Sequence, residues 1–316
     1  MTEAQRLAPL LEAAGVRSGP RRVETLGGGD TADVRRIRFD DGSSLVVKLG
    51  VVGPRSNDPS RLESRAHEEA AGLAAIAATG AVRTPKVIGV ATIDRTSILV
   101  LEDLGPGGPP DPEDGSAFGR GLADLHAAPV DRFGFDHRNH LGRTPQCNDP
   151  VAGGDDWAGF LVERRIAPMK TALAEAGRGG AADLAALDRL ADGLVSALPG
   201  GIRPGLIHGD LWSGNVHATT DGGIALIDPA VFHGDPLFEL GMMRLFGGFP
   251  EACEAAYRSR LVEHRGPEVL EAAELRIELG RLHHLLNHWL LFGDGYADQV
   301  RRSVDLLSRA SRRSRP

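Results

Sequence analysis

Apolar residues occur in short runs in the first third of the chain and recur at helical spacing over much of the remainder. Short apolar runs bounded by glycine, proline and aspartate are typical of strands. They predict strands over 23–26, 34–39, 45–49, 87–90 and 98–101, with helices at the N-terminus and over 59–79. The first third is therefore expected to form a small sheet accompanied by helices.

After a breaker-rich linker at 105–110, the pattern becomes mainly helical. Leucines at 184, 187, 190, 194 and 198 form one apolar stripe, which is the spacing of a buried helix face. Helices are predicted over 118–127, 181–198, 236–246, 251–264, 268–292 and from 296 onward, and a hairpin over 216–227. Residues 128–153 are expected to be a long irregular segment. The expected fold class is α+β, in one large domain or two lobes; the linker is the natural lobe boundary and would give lobes at 1–104 and 105–316. The family resemblance described below implies the bilobal form.

Composition excludes several classes of protein. The 316 residues carry a net charge of −7, so a nucleic-acid partner is not expected. Two cysteines make a disulfide framework improbable, and no long uncharged apolar run could span a bilayer. The N-terminus does not resemble a signal peptide. We expect a cytoplasmic protein with no membrane partner, and a monomer is the working assumption.

The sequence HGDLWSGN at 208–215 carries the main chemical signal. Asp210 and Asn215 are five positions apart, and Asp228 follows an apolar run thirteen residues later. In eukaryotic-type kinases this spacing supplies a catalytic base and two magnesium ligands. Asp210 is therefore the candidate base, and Asn215 and Asp228 are the candidate ligands of Mg²⁺ bound with ATP. A turn with its own Asx hydrogen bonds would leave Asp228 unexplained.

A second set of candidates would bind the nucleotide. Lys48 lies in an apolar strand, where a lysine is costly unless its ammonium meets a negative charge; the alternative is an edge-strand lysine that points to solvent. Glu69 is the preferred partner of Lys48 and Glu68 the alternative. Glycines can bring bare N–H groups close to phosphates, and the linker backbone would face the adenine. The further candidates are Gly27, Gly28, Gly29, Glu102, Asp103 and Leu104.

Several stretches together resemble one family. They are HGDLWSGN (208–215), IDPAVFHGDP (227–236), LFGGFP (245–250), FGFDHRNHLGRTPQCN (133–148) and HLLNHWLLFGDGY (284–296). The chain is similar to the fructosamine (ketosamine) kinases, a branch of the aminoglycoside-phosphotransferase and protein-kinase-like superfamily. The resemblance implies that ATP–Mg binds between a small sheet lobe and a larger helical lobe. It also implies phosphorylation of the 3-hydroxyl of a sugar attached to an amine, in a small molecule or on a protein.

Four residues are candidates for the substrate pocket: Trp212, His288, Trp289 and Asp235. Core packing is an equal alternative for the first three, and a helix N-cap is an alternative for Asp235. Glu239 stands where the family often has a structural Asp. Two other functions remain open at this point: a kinase for aminoglycosides or other hydroxylated metabolites, and a non-catalytic nucleotide-binding module.

Overall fold

The computed structural model describes residues 3–17, 19–27, 33–52, 64–107, 114–151, 156–219 and 223–313. The fold is bilobal, as predicted. The small lobe contains a five-stranded antiparallel sheet with the order β1-β2-β3-β5-β4. Its strands are β1 (Arg22–Thr25), β2 (Asp33–Arg38), β3 (Ser44–Val51), β4 (Val87–Ile93) and β5 (Thr96–Glu102). The five predicted strands are confirmed, with ends that differ by up to three residues.

Two helices cover the two faces of this sheet: α1 (Glu3–Ala13) and α2 (Arg65–Thr79). Alternate residues of a strand point to opposite faces. Val47 and Val100 accordingly pack with the α1 side, whereas Leu99 and Leu101 pack against α2. Among the described residues helix α2 begins at Arg65, and residues 59–63 of the predicted helix lie outside the described residues.

The large lobe is mainly helical. Its helices are α3 (Asp114–Ala127), α4 (Trp157–Leu161), α5 (Ala167–Glu175), α6 (Ala181–Ala197), α7 (Pro236–Phe246), α8 (Glu251–Arg265), α9 (Ala273–Phe292) and α10 (Ala297–Arg313). A π-helical turn joins α4 to α5. The prediction of one continuous helix over 268–292 is wrong. A 3₁₀ turn covers Pro267–Leu270, and Ala272 has a left-handed φ of 51°, which separates that turn from α9.

Short strand pairs lie in the large lobe. They are β6 (Asn139–Leu141) with β7 (Thr144–Gln146), β8 (Gly205–Ile207) with β11 (Phe232–Gly234), and β9 (Val216–Ala218) with β10 (Ile224–Leu226). The predicted hairpin at 216–227 is confirmed in its strands, while residues 220–222 of its turn lie outside the described residues. The β6–β7 hairpin was not predicted, because residues 128–153 were expected to be irregular.

Helices α7 and α9 touch through their backbones. A Cβ at Gly241 would overlap the backbone nitrogen of Arg281, and a Cβ at Gly280 would overlap the carbonyl oxygen of Phe238. Glycine is therefore required at both positions for this close approach. In the described residues, no helix combines the length and the apolar character needed to cross a membrane. The lobe boundary at 104/105 stays a prediction.

Candidate active site

The loop that carries Asp210 follows β8 directly and is fixed by His208. This histidine is buried, and its Nε2 lies 2.9 Å from the carbonyl oxygen of Ile227. The backbone N–H of Asp210 points at Nδ1 of the same ring, at 3.3 Å. Nδ1 is therefore the unprotonated acceptor, and Nε2–H donates to Ile227. Burial lowers the pKa of His208, which keeps the ring neutral. His208 ties the loop to the strand before Asp228, and Asp210 keeps the role of candidate base.

Glu239 of α7 supports the same loop through hydrogen bonds with its backbone. Its side chain is buried, and its carboxylate accepts the backbone N–H groups of His208 and Gly209, the latter at 3.0 Å. Burial by itself would raise the pKa of this carboxyl, but His126 and the donated hydrogen bonds hold it below the usual value. A buried carboxylate thus fixes the turn from which Asp210 projects.

Asp210 sits in an environment that suits a general base. Burial, together with the negative charge of Glu239, raises the pKa of Asp210 to about 7. A base works best when its pKa lies near the pH at which it operates. The carbonyl oxygen of Asp210 accepts the side-chain N–H of Asn215 at 2.8 Å, and the backbone N–H of Ile227 donates to the Asn215 carbonyl at 3.1 Å. These bonds hold Asp210, Asn215 and the segment leading to Asp228 together.

Lys48 reaches from the small lobe to meet Asp228. It lies in β3, the middle strand of the sheet, and its side chain is only 12% exposed. Its Nζ lies 2.6 Å from Oε1 of Glu69 and also contacts Oδ1 of Asp228. Glu68 instead lies against Nδ1 of His140, at 2.7 Å. Of the two candidate glutamates the structure pairs Glu69 with Lys48, and a solvent-facing edge lysine is excluded. The role of Lys48 and Glu69 in nucleotide binding stays a prediction.

The other nucleotide candidates are placed as follows. Gly27 lies two residues after β1, whereas Gly28 and Gly29 lie outside the described residues. Glu102 pairs with Arg83 at 2.8 Å, and Leu104 is buried. Asp103 accepts two hydrogen bonds from Arg36, at 2.7 and 3.0 Å, and one from Ser44 at 2.7 Å. The side chains of Glu102 and Asp103 are thus occupied by partners within the protein, so any adenine contact would come from the backbone.

The β6–β7 hairpin connects three parts of the site and was missed in the sequence. Asn139 donates to the carbonyl oxygen of Val231, three residues after Asp228, at 2.7 Å. His140 contacts Glu68 of α2, and Thr144 donates to the side chain of Asn287 on α9 at 2.5 Å. Gly142 (φ 59°) starts the two-residue turn between the strands, and a Gly-X turn is a hairpin signal that could have revealed it.

Of the four substrate candidates, Trp212 lies on the loop of Asp210 and His288 is linked to Trp212 through the ring of Phe246, whereas the other two are buried. Trp212 is 40% exposed and packs against Phe246, whose ring lies 5.1 Å from that of the partly buried His288. Trp289 is wrong as a substrate residue, because it is 1% exposed and its indole N–H donates to Asp294 at 2.8 Å.

Asp235 is also wrong as a substrate residue. It is completely buried, caps the N-terminus of α7 through the N–H of Leu237 at 3.0 Å, and pairs with Arg276 through both oxygens, at 2.7 and 2.6 Å. A completely buried carboxylate whose two oxygens are both engaged inside the protein is not accessible to a ligand. The N-cap alternative is therefore the correct one.

With this geometry in place, comparison with known proteins identifies the family. The profile described as fructosamine kinase matches residues 8–310, nearly the whole chain. The chain belongs to the fructosamine kinase family. A relative assigned as a ketoamine kinase of Synechocystis sp. is 37% identical over 75% of this chain and 76% of its own length. A mouse ketosamine-3-kinase is 33% identical over 82% of this chain and 88% of its own length.

Solved structures agree on the fold. A crystal structure from Thermobifida fusca, assigned as a fructosamine-3-kinase, superposes with a TM-score of 0.78 at 31% identity and covers 99% of both chains. An aminoglycoside phosphotransferase in a complex with ADP and hygromycin B gives a TM-score of 0.60 at 17% identity, covering 98% of this chain and 99% of its own. The second likeness concerns the fold alone. This fructosamine kinase family member therefore has the bilobal fold of small-molecule kinases.

The contacts of Glu239 lead to a first prediction. Glu239→Gln should destabilise the protein by about 1–3 kcal/mol, because one of two buried backbone N–H groups would face an NH₂ donor and the other would keep only a neutral acceptor. Turnover should fall about tenfold, since Asp210 is then held less firmly. Chemical denaturation and steady-state kinetics measure the two effects. Glu263→Gln, at a side chain that is 59% exposed, is the matched control and should change neither. If the Glu239→Gln variant were as stable as the unchanged protein, Glu239 would not support the loop of Asp210 in this way.

Proposed function

We propose that this protein transfers the γ-phosphoryl group of ATP, bound with Mg²⁺, to a sugar hydroxyl of a ketosamine. One observation carries the proposal: Lys48 from the small lobe contacts Asp228 of the large lobe, in the loop region that also holds Asp210 and Asn215. Such a set leaves little support for a non-catalytic nucleotide-binding module, because each of the four side chains has a separate task in phosphoryl transfer.

Asp210 would accept the proton of the sugar hydroxyl. Phosphoryl transfer passes through a loose transition state, so positioning and neutralisation of charge dominate catalysis. A carboxylate with a pKa of about 7 is substantially ionised at neutral pH and can still take up a proton. Lys48, held by Glu69 at 2.6 Å, would place a positive charge beside the nucleotide phosphates.

Asn215 and Asp228 fit a magnesium ion. The side-chain nitrogen of Asn215 is used as a donor to Asp210, which leaves its oxygen as a ligand, and the Asp228 side chain is 42% exposed. No cluster of three His, Cys, Asp or Glu that could hold a metal exists among the described residues. Mg²⁺ commonly takes one or two protein ligands and completes its shell with phosphates and water. When bound, the ion would neutralise charge on the phosphates.

The proposed acceptor is a ketosamine, with the 3-hydroxyl as the expected position. This choice rests on the family and on relatives named ketosamine-3-kinase and protein-ribulosamine 3-kinase. Trp212 and His288 are the proposed pocket residues, since Trp212 lies on the loop of Asp210 and His288 is linked to it through the ring of Phe246. Aromatic rings can cover the C–H face of a sugar and attract a nearby cation, with about 0.5–2 kcal/mol for the cation.

The decisive experiment is an ATP-consumption assay on a panel of acceptors. We expect turnover of a ribulosyl- or fructosyl-lysine derivative and none of an aminoglycoside. Mass spectrometry and NMR of the product would locate the phosphate on the sugar. Turnover of the aminoglycoside without that of any ketosamine would replace the proposal by the other small-molecule kinase function.

A second prediction concerns Trp212. Trp212→Ala should raise the KM for the ketosamine about tenfold, because an aromatic wall of the pocket is lost, and should change the KM for ATP much less. Trp212→Phe retains an aromatic face and should recover most of the affinity. Steady-state kinetics with each substrate varied in turn measures both constants. Equal increases in the two KM values would assign Trp212 to general packing of the loop.

A further inference from the structure

Helix α2 is held by both lobes at once, through two rows of residues on neighbouring faces. Residues four apart on a helix lie on the same face. In the first row, Leu73 packs with Leu99 and Leu101 of the small-lobe sheet. Glu69, four residues earlier, lies 2.6 Å from Nζ of Lys48. The rotation of α2 relative to the sheet therefore decides whether Glu69 reaches Lys48.

The second row faces the large lobe and consists of Glu68, Gly72 and Ile76. A Cβ at Gly72 would lie 3.1 Å from Cγ of Pro229, so the backbone of α2 lies against the residue that follows Asp228. Ile76 is completely buried and packs in an apolar cluster of the large lobe. The large lobe thus contacts α2 along a line that runs next to the row of Glu69.

Glu68 adds a polar contact to this second row. Its Oε2 lies 2.7 Å from Nδ1 of His140, in the first strand of the β6–β7 hairpin. Because a carboxylate only accepts hydrogen bonds, the Nδ1–H of His140 is the donor. The side chains of Glu68 and His140 are 12% and 27% exposed, so the contact is largely shielded from water. A short bond to a charged acceptor is among the stronger hydrogen bonds in proteins.

The hairpin that carries His140 is itself fixed to the large lobe. Asn139 donates to the carbonyl oxygen of Val231 at 2.7 Å, and Thr144 donates to Asn287 of α9 at 2.5 Å. These two contacts lie on different parts of the large lobe. The hairpin is therefore a fixed point to which α2 is anchored.

A small rotation of α2 would disrupt the pair formed by Glu69 and Lys48. Side chains of a helix end about 5–6 Å from its axis, so a rotation of about 20° moves such an end by about 2 Å. A hydrogen bond of 2.6 Å does not survive a displacement of that size. Since Glu68 and Glu69 are neighbours in the sequence, a contact that fixes Glu68 also fixes the direction of Glu69.

We propose that His140 is a positioning residue of the nucleotide site: by holding Glu68, it keeps α2 in the rotation that presents Glu69 to Lys48. The inference rests on the proposed function, because it takes the pair of Lys48 and Glu69 to bind the phosphates of ATP. His140 acts through Glu69 and has no contact of its own with the nucleotide. Loss of His140 should therefore weaken the binding of ATP much more than that of the acceptor.

The test measures the dissociation constant of ATP, in the presence of Mg²⁺ and without an acceptor. His140→Ala should raise this constant about three- to tenfold, because Glu69 then holds Lys48 less precisely. The KM for ATP should rise with it, whereas the KM for the ketosamine should change much less. His140→Asn keeps an N–H donor near the position of Nδ1 and should recover most of the affinity.

His264→Ala is the matched control. His264 contacts the carboxylate of Asp124 at 2.5 Å, and this contact joins α8 to α3 within the large lobe. The control thus removes a histidine–carboxylate contact of the same kind, and the affinity for ATP should not change. Denaturation curves of each variant verify that it is folded. Glu68→Ala removes the same link as His140→Ala from the other side, so it carries the test if His140→Ala does not fold.

A double-variant cycle tests whether His140 acts through Glu69. Glu69→Ala should itself weaken the binding of ATP, and the addition of His140→Ala should cause little further loss, because residues that act through one another are not additive. Independent losses that add in the double variant would overturn the inference. Normal affinity for ATP in folded His140→Ala or in Glu68→Ala would also overturn it. Failure of the unchanged protein to bind ATP would instead refute the proposed function.

Discussion

Replacing Asp210 by Asn is expected to lower turnover by about 10²–10⁴-fold, which corresponds to roughly 3–5 kcal/mol of activation free energy. Asn has nearly the same shape, but its amide cannot take the proton of the sugar hydroxyl. The affinity for ATP should be largely retained, since the proposed nucleotide contacts come from other residues. Turnover numbers and the dissociation constant of ATP are the measurements. An Asn variant with nearly normal turnover would refute the assignment of the base.

The stability of the Asp210→Asn variant provides a control for its loss of turnover. The pKa of Asp210 in the folded protein is about 7, whereas that of an unfolded Asp is about 4. The folded form therefore favours the protonated carboxyl, and this contribution to stability is present at low pH and lost as the pH rises toward 7. Asp210→Asn has no such loss. Relative to the unchanged protein it should gain on the order of 1–3 kcal/mol between pH 5 and pH 8.

Denaturation curves at the two pH values, without nucleotide, measure this gain. Asp40→Asn alters an exposed carboxyl and should show no comparable difference. An Asp210→Asn protein that is inactive yet more stable at pH 8 would separate loss of the base from loss of folding. An inactive and destabilised variant would leave the kinetic result without that support.

Loss of Asp228 should have the second large effect. Asp228→Ala is expected to reduce activity by more than about 10³-fold, because the loss of a metal ligand removes several kcal/mol of charge stabilisation from the transition state. Asp228 has a left-handed φ of 56°, a conformation that Asn tolerates better than Ala. Asp228→Asn is therefore the matched variant: it preserves the backbone and should still lose most of the activity.

Activity measured against magnesium concentration provides the check. Excess chelator should abolish activity of the unchanged protein, and high Mg²⁺ should not restore the Ala variant. If that variant merely required a slightly higher metal concentration, Asp228 would not be a principal ligand.

The proposed catalytic residues could be expected to lie together from the sequence because their relation is local. Asp210 and Asn215 lie on one short loop, and hydrogen bonds within a few residues fix their positions. Lys48 and Glu69 could be paired because a lysine in a central strand needs a charged partner. The sequence did not settle which of Glu68 and Glu69 that partner is, since the choice depends on the rotation of α2 about its axis.

The proposed substrate residues were harder to choose, because that choice also depends on the rotation of a helix about its axis. His288 and Trp289 are neighbours on α9, but successive helix residues point about 100° apart. His288 turns toward Phe246, while Trp289 enters the core and bonds to Asp294. The short strands β6 and β7 were not predicted because they are stabilised by polar contacts with distant elements. These contacts join Asn139 to Val231 and Thr144 to Asn287. The spacing of apolar residues does not reveal such contacts.

The backbone contact between α7 and α9 makes the enzyme vulnerable at two positions that lie outside the proposed catalytic set. Gly241 lies two residues after Glu239, and Gly280 lies opposite Phe238 on the neighbouring helix. A single-nucleotide change to alanine at either codon would wedge the helices apart and displace the carboxylate beneath the catalytic loop. We therefore expect natural variants of this chain with Ala at 241 or 280 to lose activity, even though every proposed catalytic residue remains intact.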